Sequence, residues 1–336
     1  MRKYKIAIIG TGRIGFLLQN DKKREQPASH SNAFFKNKRI KIVAGCDINE
    51  ERLMLWHKYY QKANVYTNHN ELLEKETPDI IVIAVNEEAH LQVTLDVMKN
   101  KPKLIVLEKP VAPNPELARV IKSAANKYKV PVAINHERRF SEDYKKVKEL
   151  LKRKKIGKIN SVHANLWSGL KVWHDKCRHD GACSLIHDGT HLVDIIHYLL
   201  DVKMKNPVVD NVVKNKKKEV VSINVHYKFN KDSIIYLEIC GEKKFFGFEL
   251  DIRGSEGRII IGNGYLEYYE RKNSPYYTNF FSLKKNFKIK RPNKTKYFSN
   301  MVENCVNFLD GKEELISTLD DGIDVINTLY DIVGLL

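Results

Sequence analysis

A strand over residues 3–9, apolar and β-branched at its end, closes directly on Gly10-Thr11-Gly12-Arg13-Ile14-Gly15, and a helical pattern continues from Ile14. A strand, a glycine-rich turn and a helix in that order admit few folds. The first glycine allows a tight turn, the second lets a ligand approach the backbone, and the third lets helix and strand pack closely. The helix N-terminus then offers unpaired N–H groups to an anion. Such a motif is weak alone, but one that closes a strand and opens a helix points to dinucleotide binding on a parallel sheet. Gly10, Gly12, Arg13, Ile14 and Gly15 are thus expected at a pyrophosphate.

The next segment, residues 20–31, is polar and contains Pro27. It reads as an insertion that pushes the second strand, residues 40–46, further along than usual. That strand ends in Asp47. A carboxylate there can accept the adenosine ribose hydroxyls and would repel a 2′-phosphate, which favours NAD over NADP. The competing reading is that Asp47 only caps the helix starting near Asn49. Residues 79–84 form a buried strand, with Asn86 and His90 just beyond it near the expected cofactor cleft. Residues 104–107 form another, ending in Glu108-Lys109-Pro110. A carboxylate, an ammonium and a proline are poor core material. In an open α/β sheet the carboxyl ends of the strands are where ligands sit. Strands alternating with helices through residue 134 imply a doubly wound parallel sheet.

From residue 135 the pattern changes. Residues 141–152 read as one amphipathic helix and 159–167 as a strand. After Asp180-Gly181 comes a helical segment over residues 185–200. Several strands follow in which Val221, Ile223, Val225, Tyr227 and Phe229, and later Phe246, Phe248, Leu250 and Ile252, alternate with polar residues. Strict alternation means one buried face and one wet or covered face. Helices near 298–309 and 320–336 close the chain. The expected fold is α/β over residues 1–134, followed by an α+β domain over 135–336 with a large, mostly antiparallel sheet.

Within residues 184–194, His187 and His191 are four apart and share a helix face, with Asp188 and Asp194 beside them. Imidazole moves protons near neutral pH. Lysine can stabilise charge developing on a reacting oxygen. A dinucleotide, a lysine and a histidine are the parts of an alcohol dehydrogenase site, in which the cofactor carries the hydride and the protein handles the proton. His174, Cys177, His179, Cys183, His187 and His191 are dense enough to raise zinc, yet no CxxC or HExxH spacing appears, and no metal is expected.

The chain has 336 residues, 43% of them hydrophobic, and a net charge of +17 from 58 Lys+Arg against 41 Asp+Glu. The basic clusters at residues 152–155, 214–218 and 284–296 sit in expected loops and lack aromatic interleaving, so a solvated lysine bias is favoured over a nucleic-acid partner. No apolar run reaches membrane-spanning length. The five cysteines are scattered, which suits a reducing cytoplasm better than a disulfide scaffold.

The chain resembles the Gfo/Idh/MocA family of oxidoreductases, which includes glucose–fructose oxidoreductase and inositol dehydrogenase. The resemblance rests on Gly10 to Gly15, on Glu108-Lys109-Pro110, on Gly189-Thr190-His191-Leu-Val-Asp194 and on Ser255-Glu-Gly-Arg258. It implies an N-terminal Rossmann domain, with Lys109 and His191 as the catalytic pair. The family's third polar residue, commonly Asp, falls on His187, with Asp188 beside it. Where the family has Pro-Asn, this chain has Asn86-Glu87, and His90 still matches. The resemblance further implies NAD as cofactor, a secondary alcohol or ketone of a sugar or cyclitol as substrate, and Arg138, Arg139 and Trp167 as substrate-wall candidates. A homodimer or homotetramer and a cis Lys109–Pro110 bond are also expected. The rival on the same fold is a non-catalytic dinucleotide sensor.

Overall fold

A computed structural model describes residues 3–174, 177 and 183–336. Asp180, Gly181 and His179 lie outside the described residues. The chain divides into two compact units, Met1–Ser141 with Lys294–Ile326, and Glu142–Asn293 with Asn327–Leu336. This differs from a single cut after residue 134. The reason is helix α10 (Tyr297–Leu309), whose Phe298, Met301, Val302, Cys305 and Val306 share one core with Tyr4, Ile6 and Ile8 of the first strand. Those five residues form one apolar helix stripe, and a stripe must be buried somewhere.

The first unit is built on six parallel strands in the order β3-β2-β1-β4-β5-β6. They are β1 (Tyr4–Ile9), β2 (Ile40–Cys46), β3 (Asn64–Tyr66), β4 (Ile80–Ile83), β5 (Leu104–Leu107) and β6 (Val132–Ile134). This is the dinucleotide-binding order, with its switch point between β1 and β4. The helices between the strands are α1 (His30–Lys36), α2 (Glu50–Tyr59), α3 (His69–Lys75), α4 (Glu87–Lys99) and α5 (Pro115–Tyr128), with a short α6 (Glu137–Phe140) after β6. The strands β4 and β5 are buried at every residue, as expected of strands covered on both faces.

The helix expected from Ile14 does not run on. Residues 12–16 make one turn, a 3-10 helix follows at Leu17–Asn20, and α-helix resumes only at His30. The return is made in register. The N–H groups of His30 and Ser31 donate to the carbonyls of Ile14 (3.0 Å) and Gly15 (2.9 Å). The insertion is thus an excursion from inside the first helix, whose two halves are rejoined by hydrogen bonds that a continuous helix would make. The Glu25 carboxylate ties the excursion down by accepting from Thr295 N–H (2.7 Å) and Lys296 N–H (2.7 Å).

The second unit carries α7 (Glu142–Lys152) and β7 (Ile159–Trp167), then α8 (Ser184–His187) and α9 (Gly189–Leu200). There follow β8 (Val208–Lys214), β9 (Val220–Asn230), β10 (Ser233–Cys240), β11 (Gly247–Gly254), β12 (Gly257–Gly262), β13 (Tyr265–Asn273) and β14 (Phe281–Lys285). Helix α11 (Leu319–Val333) ends in this unit. The eight strands pair in the order β14-β13-β12-β11-β7-β10-β9-β8. Only β7 and β10 run parallel. Val162, Ala164 and Leu166 of β7 and Ile235, Leu237 and Ile239 of β10 are buried on one face. Helix α9 covers that face, as a Cβ on Gly189 would meet Leu329 of α11 at 3.3 Å and Ile239 at 3.9 Å. On the opposite face Asp251 is held by Arg253 (2.8 Å) and Arg258 (2.7 Å), and His163 stacks on Tyr236 with centroids 4.8 Å apart.

Candidate active site

The glycine turn of the first unit is fixed by sterics at two of its three glycines. Gly10 has φ +98°, and a Cβ there would meet the Ala84 carbonyl oxygen at 2.4 Å. A Cβ on Gly15 would meet the Gly10 carbonyl oxygen at 1.9 Å. Gly12 is different, because among the described residues nothing beyond its chain neighbours lies within 4 Å of its would-be Cβ. Packing does not demand glycine there, whereas close approach of a pyrophosphate does. The residues present therefore fit a dinucleotide.

Asp47 at the end of β2 is buried and accepts from four donors. One oxygen accepts the Thr11 N–H (2.8 Å) and hydroxyl (3.1 Å); the other accepts the Asn49 N–H (2.9 Å) and the Arg52 guanidinium (2.9 Å). The cap of α2 is made by Asn49 instead, whose side chain accepts from Arg52 N–H at 2.8 Å. Asp47 thus ties the glycine turn to β2. Arg52, half-exposed beside it, is a cation that periodicity alone did not single out.

Glu108 and Lys109 follow β5, and the Lys109–Pro110 bond is cis as expected. Glu108 does not face out as a cofactor ligand. Its Oε1 lies 2.6 Å from His30 Nε2 and accepts from Asn135 Nδ2 at 2.6 Å. Burial pushes this carboxyl up, but the hydrogen bond and charge of His30, with Asn135 and Lys109, outweigh it and hold the group below the usual carboxylate range. Lys109 itself is half-buried. His90 is also taken up internally. Its Nδ1 faces the Pro110 carbonyl at 2.8 Å and its Nε2 the Val85 carbonyl at 3.1 Å, which leaves no ring nitrogen for a cofactor. It braces the turn carrying Lys109 against the turn after β4. Asn86 begins α4 without a side-chain cap bond.

Arg139 departs from its expected place in a substrate wall. It is buried, pairs with Asp321 at 3.0 Å and donates to the Ile316 carbonyl at 3.0 Å. A guanidinium desolvated and paired in this way is structural. Glu137, one residue before Arg138, is the titratable group that sequence reasoning missed. Burial and the neighbouring Glu108 charge push its carboxyl up, against the opposing pull of Arg138, Lys109 and Arg24. Carboxyls whose pKa is shifted in this way cluster at functional sites.

In the second unit, His187 and His191 do not lie on one uninterrupted helix. Asp188 separates α8 from α9. The His191 N–H donates to the Asp188 carbonyl at 3.1 Å, and the Thr190 hydroxyl to the His187 carbonyl at 2.8 Å. His187 is exposed and its Nδ1 lies 3.1 Å from Asp188 Oδ1. The other Asp188 oxygen accepts the Ser168 hydroxyl at 2.9 Å. Asp188 is therefore the residue held in place, with His187 and Ser168 on either side. His191 is half-buried on the first turn of α9. Trp167 stands on the sheet face opposite α9, donating to Glu238 at 3.0 Å and filling the space above Gly247, where a Cβ would meet its ring at 2.2 Å. It belongs to the sheet rather than to a wall beside His191. Cys177 and Cys183, expected to be unpaired, form a disulfide with Cα atoms 5.6 Å apart.

Residues 4–136 match the oxidoreductase family's NAD-binding Rossmann fold, and residues 148–332 match its C-terminal alpha/beta domain. The chain is 23% identical over 270 residues to myo-inositol 2-dehydrogenase of Thermotoga maritima, covering 77% of this chain and 75% of that protein. It is 25% identical to glucose-6-phosphate 3-dehydrogenase of Bacillus subtilis over 71% of this chain and 64% of that one. Oxidoreductase P35 of Formosa agariphila is 31% identical, but the match spans only 40% of this chain and 41% of the relative. Among solved structures, an oxidoreductase from Agrobacterium radiobacter in complex with NAD+, L-tartaric acid and magnesium superposes with TM-score 0.74 at 16% identity, covering 98% of this chain and 94% of that one. A super-repressor mutant of Gal80p from Saccharomyces cerevisiae superposes with TM-score 0.78, also at 16% identity, covering 99% and 96%. Matched in both its domains, the chain belongs to the Gfo/Idh/MocA oxidoreductase family.

Proposed function

We propose that the protein is an NAD-preferring dehydrogenase or reductase acting on a secondary alcohol or ketone of a sugar, cyclitol or derivative. The observation that carries this reading is Lys109. It is an ammonium at the carboxyl end of a buried strand, on a turn braced by His90 and by the Glu108–His30–Asn135 cluster, in the same unit as a glycine turn open at Gly12. Substrate classes come from the myo-inositol and glucose-6-phosphate dehydrogenase relatives.

A bound nicotinamide supplies the hydride acceptor or donor. Lys109 hydrogen-bonds the reacting oxygen and stabilises the charge that develops on it. His191 takes the proton in oxidation and returns it in reduction. Asp188, fixed by Ser168 and His187, orients substrate hydroxyls, and His187 is the second candidate for the proton. Asp47 receives the ribose. The rival reading, a dinucleotide sensor without turnover, draws on the Gal80p neighbour and requires neither Lys109 nor His191.

The test is a turnover screen of inositols, sugars, sugar phosphates and uronates with NAD and NADP, followed by reduced nicotinamide absorbance. Turnover of one class, abolished in Lys109→Ala, supports the proposal. Tight NAD binding with no turnover across the screen supports the sensor.

A further inference from the structure

The segment that precedes α8 holds a cluster that the proposed reaction does not use. Ring nitrogen of His174 and the sulfurs of Cys177 and Cys183 all lie within 4.8 Å of one another, with both cysteines buried. The loop that carries them is clamped at its base. Ser184 N–H donates to the Lys171 carbonyl at 2.8 Å and Leu185 N–H to the Val172 carbonyl at 3.2 Å. At its start Cys177 N–H donates to the His174 carbonyl at 3.0 Å, and His174 N–H points at Cys177 Sγ at 3.1 Å. An N–H aimed at sulfur favours the thiolate, the form that binds metal.

We propose that, with the disulfide reduced, His174, Cys177 and Cys183 bind a zinc-class divalent cation. Two thiolates and one imidazole are the donor set that borderline-soft Zn²⁺ selects, and three protein ligands leave one tetrahedral position for a fourth group or water. A disulfide makes no use of the imidazole, whereas a metal does. The other three cysteines, Cys46, Cys240 and Cys305, are buried and unpaired. A chain that keeps thiols in this way suits a reducing compartment, in which thiols are held reduced. Opening it takes two electrons and two protons from a thiol reductant, which becomes the oxidised disulfide. The cation then displaces the two thiol protons. Cys183 immediately precedes α8, so the ion would pin the loop to the start of the segment carrying His187 and Asp188. It is a structural cation, and its binding does not depend on the proposed dehydrogenase activity.

The experiment uses the full chain, reduced with dithiothreitol and desalted without oxygen, with Co²⁺ as the probe and Zn²⁺ as competitor. A thiol assay first confirms that Cys177 and Cys183 are reduced. The expected result is one equivalent of Co²⁺ with sulfur-to-cobalt charge-transfer absorption, displaced by Zn²⁺. Cys177→Ser, Cys183→Ser and His174→Ala should each weaken binding by more than about tenfold, as ligand loss costs at least what loss of an outer-shell partner does. Reduced protein without charge-transfer absorption, or variants that bind as tightly as the parent, would overturn the proposal. So would a Cys177–Cys183 pair that stays oxidised in the folded protein under excess dithiothreitol, because the site would then be a structural disulfide. Far-ultraviolet circular dichroism of each variant separates ligand loss from misfolding.

Discussion

His30 and Glu108, 78 positions apart, meet in the interior of the first unit with Nε2 and Oε1 separated by 2.6 Å. The other ring nitrogen of His30 is buried with no hydrogen-bond partner. Nε2 therefore carries a proton, which the carboxylate accepts. The excursion after Phe16 brings its chain back at this histidine, so an insertion in the first helix is tied to the residue that precedes Lys109.

Removing that tie should be costly. His30→Ala leaves Glu108 buried with Asn135 as its main partner and should destabilise the protein by about 3 kcal/mol, the scale for breaking a buried pair. His30→Gln keeps an N–H donor and should lose less. The stability that Glu108 contributes is present above its unfolded value, about pH 4.3. It disappears as pH falls through its lower folded value, and His30→Ala should shrink that acid-dependent part. Urea titration at several pH values measures both effects; equal stability of parent and His30→Ala would contradict them.

His90 should make the fold acid-sensitive in a second range. Burial lowers its pKa against the raising effect of the Pro110 and Val85 carbonyls and nearby carboxylates. A lowered folded value means that its contribution is present above about pH 6.5 and is lost as pH drops below that. Thermal midpoints of the parent should fall between about pH 7 and pH 5 more steeply than those of His90→Gln, whose amide can still serve the carbonyls.

Cofactor choice should follow Asp47. NAD should bind more tightly than NADP, because a 2′-phosphate would meet a carboxylate. Asp47→Ala should narrow the difference by removing the repulsion while leaving Arg52, which is then free to pair with the phosphate. Fluorescence titration gives the four dissociation constants, and equal affinities in the parent would remove Asp47 from the ribose role.

Proton handling should reside in the second unit. His191→Ala should cut turnover by about 10²–10⁴-fold, the usual worth of a positioned acid–base group, with NAD affinity little changed. Lys109→Ala should also be severe, and the double variant should lose less than the product of the two losses, because the groups act as a unit. His187→Ala discriminates. If it is the damaging change while His191→Ala turns over normally, the two histidines have been assigned in the wrong order.

The half-buried polar sheet face with Asp251, Arg253, Arg258, His163 and Tyr236 should lie in a contact between copies. Wide sheets present such faces to symmetric partners. Light scattering should report a dimer or tetramer, and Asp251→Arg, which sets three cations together, should shift it toward monomer. A parent that is monomeric at micromolar concentration would refute this.

Periodicity and local chemistry were enough for much of this molecule. The strand β2 over Ile40–Cys46 and the strand β7 over Ile159–Trp167 are where alternation and β-branched runs put them. The glycine turn and Lys109 at a strand end were legible because strand–glycine–helix and strand–Lys-Pro are local patterns, each set by a few adjacent residues. What the sequence could not reveal is which side chains are consumed by their neighbours. Glu108, His90 and Arg139 read as site residues by type, yet His30, the Pro110 carbonyl and Asp321 take up their polar atoms. No local pattern singles out His30 or Arg52, yet they meet Glu108 and Asp47. The break in the first helix and the return at His30 were likewise hidden, since hydrogen bonds that rejoin a helix across an insertion leave no periodic trace. The physical reason is common to all of these. Local pattern reports whether a residue prefers the interior, whereas a buried charge survives only if some distant group pays its desolvation, and the tertiary structure decides which group that is.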